Sequence, residues 1–312
     1  MYFIGVDIGG TGIQAGVVNQ DGKILFRKEC STDIKNGFEK IMNDINTLVR
    51  ELLYENKIDI DEIESIGFGV PSFINKRGLV TCVNLGWSEV EFMDALRERF
   101  PEVSVYAEND ATVAALGEAI LGSMKGSKVG VLYTLGTGVG GGIIINGKVF
   151  TGANGMGSEI GHVVIGDNYF DCNCGKNGCL ETFCSATAII KHAQKLIQEG
   201  RESVILDMAD GKIENIDAKM VFDSYREGDC VAVDTIKRFK LYLSKAMANM
   251  INTLDPDIIS IGGGVSRASD IILDGLKDSI REQILYKKED FAKIVCATLG
   301  ADAGIIGAAF LR

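Results

Sequence analysis

The spacing of apolar positions changes along the chain, and each change marks an element. Tyr2 to Ile8 and Ile13 to Val18 are short apolar runs separated by Gly9-Gly10-Thr11, so the chain is predicted to open with a β-hairpin. The turn Asp21-Gly22-Lys23 leads to a return strand. Phe38, Ile41, Met42, Ile45, Leu48, Val49, Leu52 and Leu53 then recur at helical spacing, which predicts an amphipathic helix over 37–56. Ile63 to Val70 reads as a buried strand ending at Pro71, Glu91 to Phe100 as a short helix, Val103 to Ala107 as a strand, and Ala111 to Leu121 as a helix. Lys125 to Lys128 is a turn, and after it the pattern starts again. Val129 to Leu135 and Ile143 to Ile145 flank a second glycine loop, and Asn146-Gly147 is a hairpin signature. Beyond this the pattern predicts a helix over 186–199, a weakly patterned connection over 200–217 and two helices within 218–254. A strand from Asp257 to Ile261, a helix over 268–285, a strand from Ile294 to Thr298 and a terminal helix from Ala301 to Leu311 complete the chain. Strands alternating with helices indicate an α/β class, mostly parallel in each half. Two hairpins of one design, each opening a long segment, predict an internal duplication.

The glycine loops carry the first candidate chemistry, because loops poor in side chains let backbone N–H groups approach an anion. Gly136, Gly138 and Gly141 formally satisfy a dinucleotide fingerprint, but that fingerprint needs a helix next and β-branched residues follow instead. Gly142 to Lys148 spells most of a P-loop, yet Val149 replaces the hydroxyl residue that binds magnesium. A third glycine turn, Gly262-Gly263-Gly264, follows the strand ending at Ile261. Glu108-Asn109-Asp110 stands where a predicted strand gives way to a helix, the end of a parallel sheet at which ligands gather. On local sequence alone the helix N-cap role is the favoured reading of Asp110.

Eight cysteines change the picture again, since three of them fall in Cys172-x-Cys174-x4-Cys179 with Gly175 and Gly178 between. Thiolates favour zinc and zinc takes four ligands, so His162 would complete a closed, structural Cys3His set, with Cys184 as the other candidate for the fourth place. By analogy with zinc-finger peptides such a site contributes on the order of 10 kcal/mol of local folding. The other cysteines are scattered in apolar surroundings and read as reduced. His192, the one other histidine, falls on a helix. Trp87, the single tryptophan, reads as core or domain-edge packing.

Length and charge narrow the function classes. At 312 residues and 46% hydrophobic, the chain has room for two cores. A net charge of −11 without a Lys/Arg cluster argues against nucleic acid as a partner. The absence of a signal-peptide core and of any long apolar run predicts a cytoplasmic protein that makes no use of a membrane.

Taken in order, Asp7-Ile-Gly-Gly-Thr11, Glu108-Asn-Asp110, Leu135-Gly-Thr-Gly-Val-Gly-Gly-Gly142, Glu159-Ile-Gly-His162, the cysteine motif through Glu181, and Gly262-Gly-Gly-Val265 resemble the ROK family of sugar kinases. The likeness runs from residue 2 to the last helix, and Asn84-Leu-Gly-Trp87 looks most like the family's glucokinases. The resemblance implies an α/β, two-domain actin-like (ribonuclease-H-like) sugar kinase fold with a duplicated βββαβα unit and an interdomain cleft. Its small domain would be 1–116 plus the C-terminal helix 300–312, and its large domain, carrying the zinc knuckle, 117–299. It implies ATP-dependent phosphorylation of the 6-hydroxyl of a hexose, foremost glucose, with Asp110 as general base. Asn84, Asn109, Glu159, His162 and Glu181 would hold the sugar beside Asp110. Gly9, Gly10, Thr11, Gly136, Thr137 and Gly138 would cradle phosphates, Asp7 would hold Mg2+ through water, and Gly263 and Gly264 would border the adenosine. His162 would serve both zinc and sugar, and the assembly would be a homodimer. Kinases of N-acetylmannosamine, fructose or allose, a polyphosphate-dependent kinase, and the family's sugar-sensing repressors are the alternatives. Those repressors carry a DNA-binding extension ahead of the first glycine hairpin, which here starts at residue 2. Two positions depart from the family pattern: Gly12, where many relatives have Lys, and Ser72, where glycine is usual.

Overall fold

The computed structural model describes residues 1–312. Its first half runs β1 (Tyr2–Ile8), β2 (Gly12–Val18), β3 (Ile24–Ser31), α1 (Gly37–Glu55), β4 (Ile63–Val70), β5 (Val80–Cys82), β6 (Trp87–Val90), α2 (Phe92–Arg99), β7 (Ser104–Asn109) and α3 (Asp110–Ile120). The second runs β8 (Val129–Leu135), β9 (Val139–Ile145), β10 (Lys148–Val149), α4 (Glu181–Cys184), α5 (Ala186–Gln198), α6 (Val204–Met208), α7 (Ala218–Arg226) and α8 (Cys230–Leu254). It ends with β11 (Ile258–Gly262), α9 (Ser269–Leu273), α10 (Leu276–Arg281), β12 (Lys293–Cys296) and α11 (Asp302–Ala309). No helix is long and apolar enough to cross a membrane.

The duplication is explicit in the sheets. The first has order β3-β2-β1-β4-β7 and the second β10-β9-β8-β11-β12, so each takes its third, second, first, fourth and fifth main strands in the same sequence. Each opening hairpin turns through three residues, Gly9 to Thr11 and Gly136 to Gly138. The sheets are mixed, where alternation of strands and helices suggested mostly parallel ones. In the first, β1 pairs antiparallel with β2 and β2 with β3, while β4 joins β1 and β7 in parallel. A tight hairpin can only reverse the chain; the parallel half needs the helical crossovers.

By internal contacts the chain forms two compact units. One comprises 1–132, 142–158 and 298–312; the other comprises 133–141 and 159–297. In the first, the predicted stripe of α1 is buried over Ile41, Met42, Ile45, Leu48, Val49, Leu52 and Leu53, each side chain contributing about 1.5–3 kcal/mol relative to exposure. Trp87 is core, as its sequence context suggested, with its ring 5.1 Å edge-on from Phe38 and 5.7 Å from Phe92. In the second unit α8 is the central helix, packed by α4, α5, α7 and α10. Two predicted spans differ. Residues 200–217 hold α6 and a 3-10 turn at Ile213–Asn215, with Ser203 capping α6. The helix expected over 268–285 is broken between α9 and α10, where Gly275 takes a left-handed φ of 64° that ends one helix and starts the next.

Candidate active site and metal centre

In the first unit two carboxylates meet. β1, β4 and β7 lie side by side in a register that aligns Asp7 with Gly69 and Gly69 with Glu108. Gly69 leaves room between the acids: a Cβ built there would stand 3.5 Å from Asp7 Oδ1 and 3.6 Å from the Asp110 Cα. Burial, and then the charge of Asp110, push the Asp7 carboxyl up to about 6. Gly304 of α11 forms part of that cover, since a Cβ on it would come within 2.5 Å of Asp7 Oδ2.

The choice left open for Asp110 is decided by its neighbour. Asn109 is the N-cap of α3: its Oδ1 accepts from the Ala111 and Thr112 N–H groups at 3.0 and 3.1 Å. Asp110 is the first helical residue, with the Ala111 N–H 2.7 Å from its Oδ1. The cap therefore belongs to Asn109, and any bond from Asn109 to a ligand acceptor comes from its amide nitrogen. Asn84 is exposed in the 3-10 turn after β5. Two residues before it, burial pushes the Cys82 thiol up, the Asp110 charge adds to the rise, and the thiol donates to the Pro71 carbonyl at 3.4 Å. Ser72 ties its hydroxyl to the Thr81 carbonyl, which fixes the loop after Pro71 without glycine. Gly12 opens β2 opposite Ser31 in ordinary strand geometry. Around it, Gly9 N–H donates to the Gly12 carbonyl at 2.9 Å and the Thr32 hydroxyl to the Gly9 carbonyl at 2.6 Å, which leaves Thr11 exposed at the tip.

In the second unit Glu181 joins the glycine loop to the cysteines. Its Oε2 accepts the Val139 N–H at 3.0 Å, and a Cβ on Gly138 would lie 2.4 Å from the same oxygen, so a side chain there would push the carboxylate out of this position. Its Oε1 is 3.5 Å from Cys172 Sγ. α5 begins under the loop: Ala186 N–H donates to the Gly136 carbonyl and the Thr187 hydroxyl to that of Thr137, both at 2.8 Å. Gly263, at φ 82°, presses its backbone on Leu135, where a Cβ would come 2.4 Å from the carbonyl oxygen. Only a glycine accepts both the left-handed φ and that approach.

His162, Cys172, Cys174 and Cys179 bring one ligand atom each within 4.8 Å of one another. Cys172 Sγ is 3.6 Å from His162 Nδ1 and Cys174 Sγ is 3.6 Å from Cys179 Sγ. A tetrahedral zinc with thiolates at its usual bond length separates its ligands by about 3.8 Å. Burial pushes the Cys172 thiol up to about 12, so a cation is what would hold it as thiolate. The four donors fit zinc, and Nδ1, the histidine nitrogen on the Cys172 side, would be the one to bind it. Cys184 is no ligand: it is fully buried with its thiol toward the Phe239 carbonyl. His192 is 3.0 Å from the Thr235 hydroxyl and held neutral, its imidazole pushed down to about 4 by burial. Glu159 is exposed just before the turn that carries His162.

A cavity of about 680 Å³ borders Gly136 and Thr137, with Phe222, Val265 and Ala268 as apolar walls and Gly264 at its edge. Its rim was not anticipated from sequence. Lys219, Asp223 and Arg226 form a ladder of ion pairs along α7, and Arg226 reaches Asp270 at 3.0 Å. The signal present was the i, i+4, i+7 spacing of opposite charges on one helix face.

The family model described as the ROK family matches residues 3–312. The chain is 39% identical to a glucokinase of Halalkalibacterium halodurans over 99% of its own length and 94% of the relative's. It is 37% identical to a glucokinase of Thermotoga maritima over 99% and 96%. Among solved structures, the ROK family glucokinase of Streptomyces griseus in complex with glucose and AMPPNP is 32% identical and superposes with a TM-score of 0.81, over 99% of this chain and 98% of that one.

Proposed function

Because the chain belongs to the ROK family, we propose that it is an ATP-dependent glucokinase, transferring the γ-phosphoryl group of ATP to the 6-hydroxyl of glucose. The observation that carries the mechanism is the placement of Asp110 at the carboxyl end of the parallel strands, beside Asp7, with the helix cap supplied by Asn109 instead. A carboxylate there accepts the hydroxyl proton as the oxygen attacks phosphorus, and such general-base assistance is worth roughly 10² to 10⁴ in rate. Phosphoryl transfer otherwise asks for positioning and charge neutralisation. Gly10, Thr11, Thr137 and Gly138 supply backbone and hydroxyl donors for phosphates, while Gly9 and Gly136, whose N–H groups bond within their own turns, shape the two loops. Asp7, next to a second carboxylate, is the residue that would hold Mg2+, which supplies charge neutralisation on the phosphates when bound. Asn84, Glu159, His162 and Glu181 carry the polar groups for the sugar hydroxyls, with Asn109 contributing its amide nitrogen. Zinc on His162, Cys172, Cys174 and Cys179 would fix the imidazole and, through Cys172, the Glu181 carboxylate.

The donor reading rests on the cavity. Its volume is that of a small-molecule site, and its apolar walls beside the glycine loop suit a nucleoside, whereas polyphosphate has no apolar part to place there. The test is ADP release by purified protein with Mg-ATP and glucose, with N-acetylmannosamine as competing acceptor and polyphosphate as competing donor. Turnover with ATP and glucose, and little otherwise, is the expected result. Asp110→Ala is expected to lower kcat by roughly 10² to 10⁴ while glucose still quenches or enhances Trp87 fluorescence. Turnover only with the acetamido sugar or with polyphosphate overturns the assignment.

A further inference from the structure

We infer that Glu118 is a positioning residue of the reaction, acting through α11 on the Asp7 and Asp110 pair; this rests on the kinase reading above. Glu118 lies on α3, the helix that begins with Asp110, and is fully buried. No cation pairs with it. Its carboxylate instead gathers five neutral donors. Oε1 takes the N–H groups of Thr298 and Leu299 at 3.0 and 2.8 Å. Oε2 takes the Ser123 N–H at 2.6 Å, the Ser123 hydroxyl at 2.7 Å and the Thr298 hydroxyl at 3.4 Å. A Cβ on Gly122 would fall 2.1 Å from Oε2, so the turn after α3 is shaped around this carboxylate. A buried carboxylate is costly unless it is fully bonded, and neither a cap for α3 nor an ion pair accounts for this one.

Thr298 and Leu299 are the approach to α11. The rest of that helix runs in backbone contact along its neighbours: a Cβ on Gly117 would stand 2.3 Å from the Ala303 carbonyl oxygen, and one on Gly307 1.8 Å from that of Val113. Contacts this close leave no slack between the helices, so a displacement of α11 is passed directly to the groups it covers. The bonds from Glu118 fix the axial position of α11 on α3, and through it the place of Gly304 against the Asp7 carboxylate. A shift of α11 by a fraction of an ångström uncovers Asp7 and moves it relative to Asp110, and misplacement of about 1 Å at a reacting site costs up to roughly a hundredfold.

The experiment compares wild type, Glu118→Gln and Ser123→Ala in Mg-ATP and glucose assays, with kcat expressed per folded protein by circular dichroism. Glutamine presents an NH2 to groups that are themselves donors, so Glu118→Gln is expected to lower kcat roughly tenfold or more with the KM for glucose changed by less than about threefold. Ser123→Ala removes one donor and keeps the charge; it is expected to lower kcat about two- to fivefold with the same split. If Glu118→Gln does not fold, Ser123→Ala decides. Folded variants that turn over at the wild-type rate overturn the inference and leave the kinase reading intact, as does a loss of thermal stability with kcat unchanged. A wild type inactive with every sugar fails the kinase reading instead.

Discussion

Asp7 shows how a single residue opposes the stability of the fold it serves. An aspartate raised from its ordinary value to about 6 keeps its proton longer in the folded protein than in the unfolded chain. Below about pH 3 both states are protonated and the residue is neutral for stability. As pH rises towards 6 the unfolded state ionises first, and above 6 the folded state carries the full cost, about 3 kcal/mol by order of magnitude. Metal-free Asp7→Asn is therefore expected to melt at a higher temperature than wild type at pH 7.5 and at the same temperature near pH 3, with phosphoryl transfer strongly reduced. Equal melting temperatures at pH 7.5 in calorimetry count against the burial of an ionised Asp7. Such strain is common where a site needs charge that the fold alone does not.

Among the elements, the cysteine knuckle binds the most to the least chain. Between His162 and Glu181 regular structure is limited to turns and isolated bridges such as Val164 with Cys179 and Asp171 with Asn177. Four metal-ligating side chains converge here, so the segment is expected to draw order from a bound ion. Stripping zinc with a chelator is expected to raise hydrogen exchange across residues 162–181 and, because Glu181 holds the Val139 N–H, to loosen the glycine loop and abolish turnover. Full activity in protein shown to be zinc-free would sink this role. A hairpin such as Asn146-Gly147 forms without an ion: both residues take a left-handed φ, 51° and 74°, and the Asn146 N–H donates to the Lys128 carbonyl at 2.6 Å.

At the scale of the molecule, the chain's last helix completes the unit that its first strand begins. α11 has alanines, glycines and isoleucines on every side and is buried all round. Gly5 of β1 and Gly67 of β4 meet it backbone to backbone, each so close that a Cβ would stand 1.8 Å from a carbonyl oxygen of the helix. Removing residues 300–312 uncovers β1, β4 and α3 together. The truncated chain is expected to lose the cooperative melting of residues 1–132, followed by circular dichroism and by Trp87 fluorescence. A truncated chain that keeps a native Trp87 spectrum and a sharp transition refutes this account of the terminal helix.

What the sequence determined by itself is what neighbours in the chain settle between them. The two glycine hairpins, the stripe of α1, β4 to the residue and the Cys172, Cys174, Cys179 spacing all rest on turn chemistry, side-chain period or short-range ligand convergence. The resemblance to ROK kinases rode on those same local motifs. Boundaries were less legible: the charged stretch holding α6 shows little apolar period, and the break at Gly275 interrupts a run that otherwise reads as one helix. The tertiary structure decided whether Asn109 or Asp110 caps α3, because both residues offer an acceptor and only the backbone geometry selects one. It also decided that Gly69 stands between two acids, that Gly304 covers Asp7, and that Glu118 receives the approach to α11. Those relations depend on sheet register and helix packing between segments far apart in the chain, which no local pattern encodes.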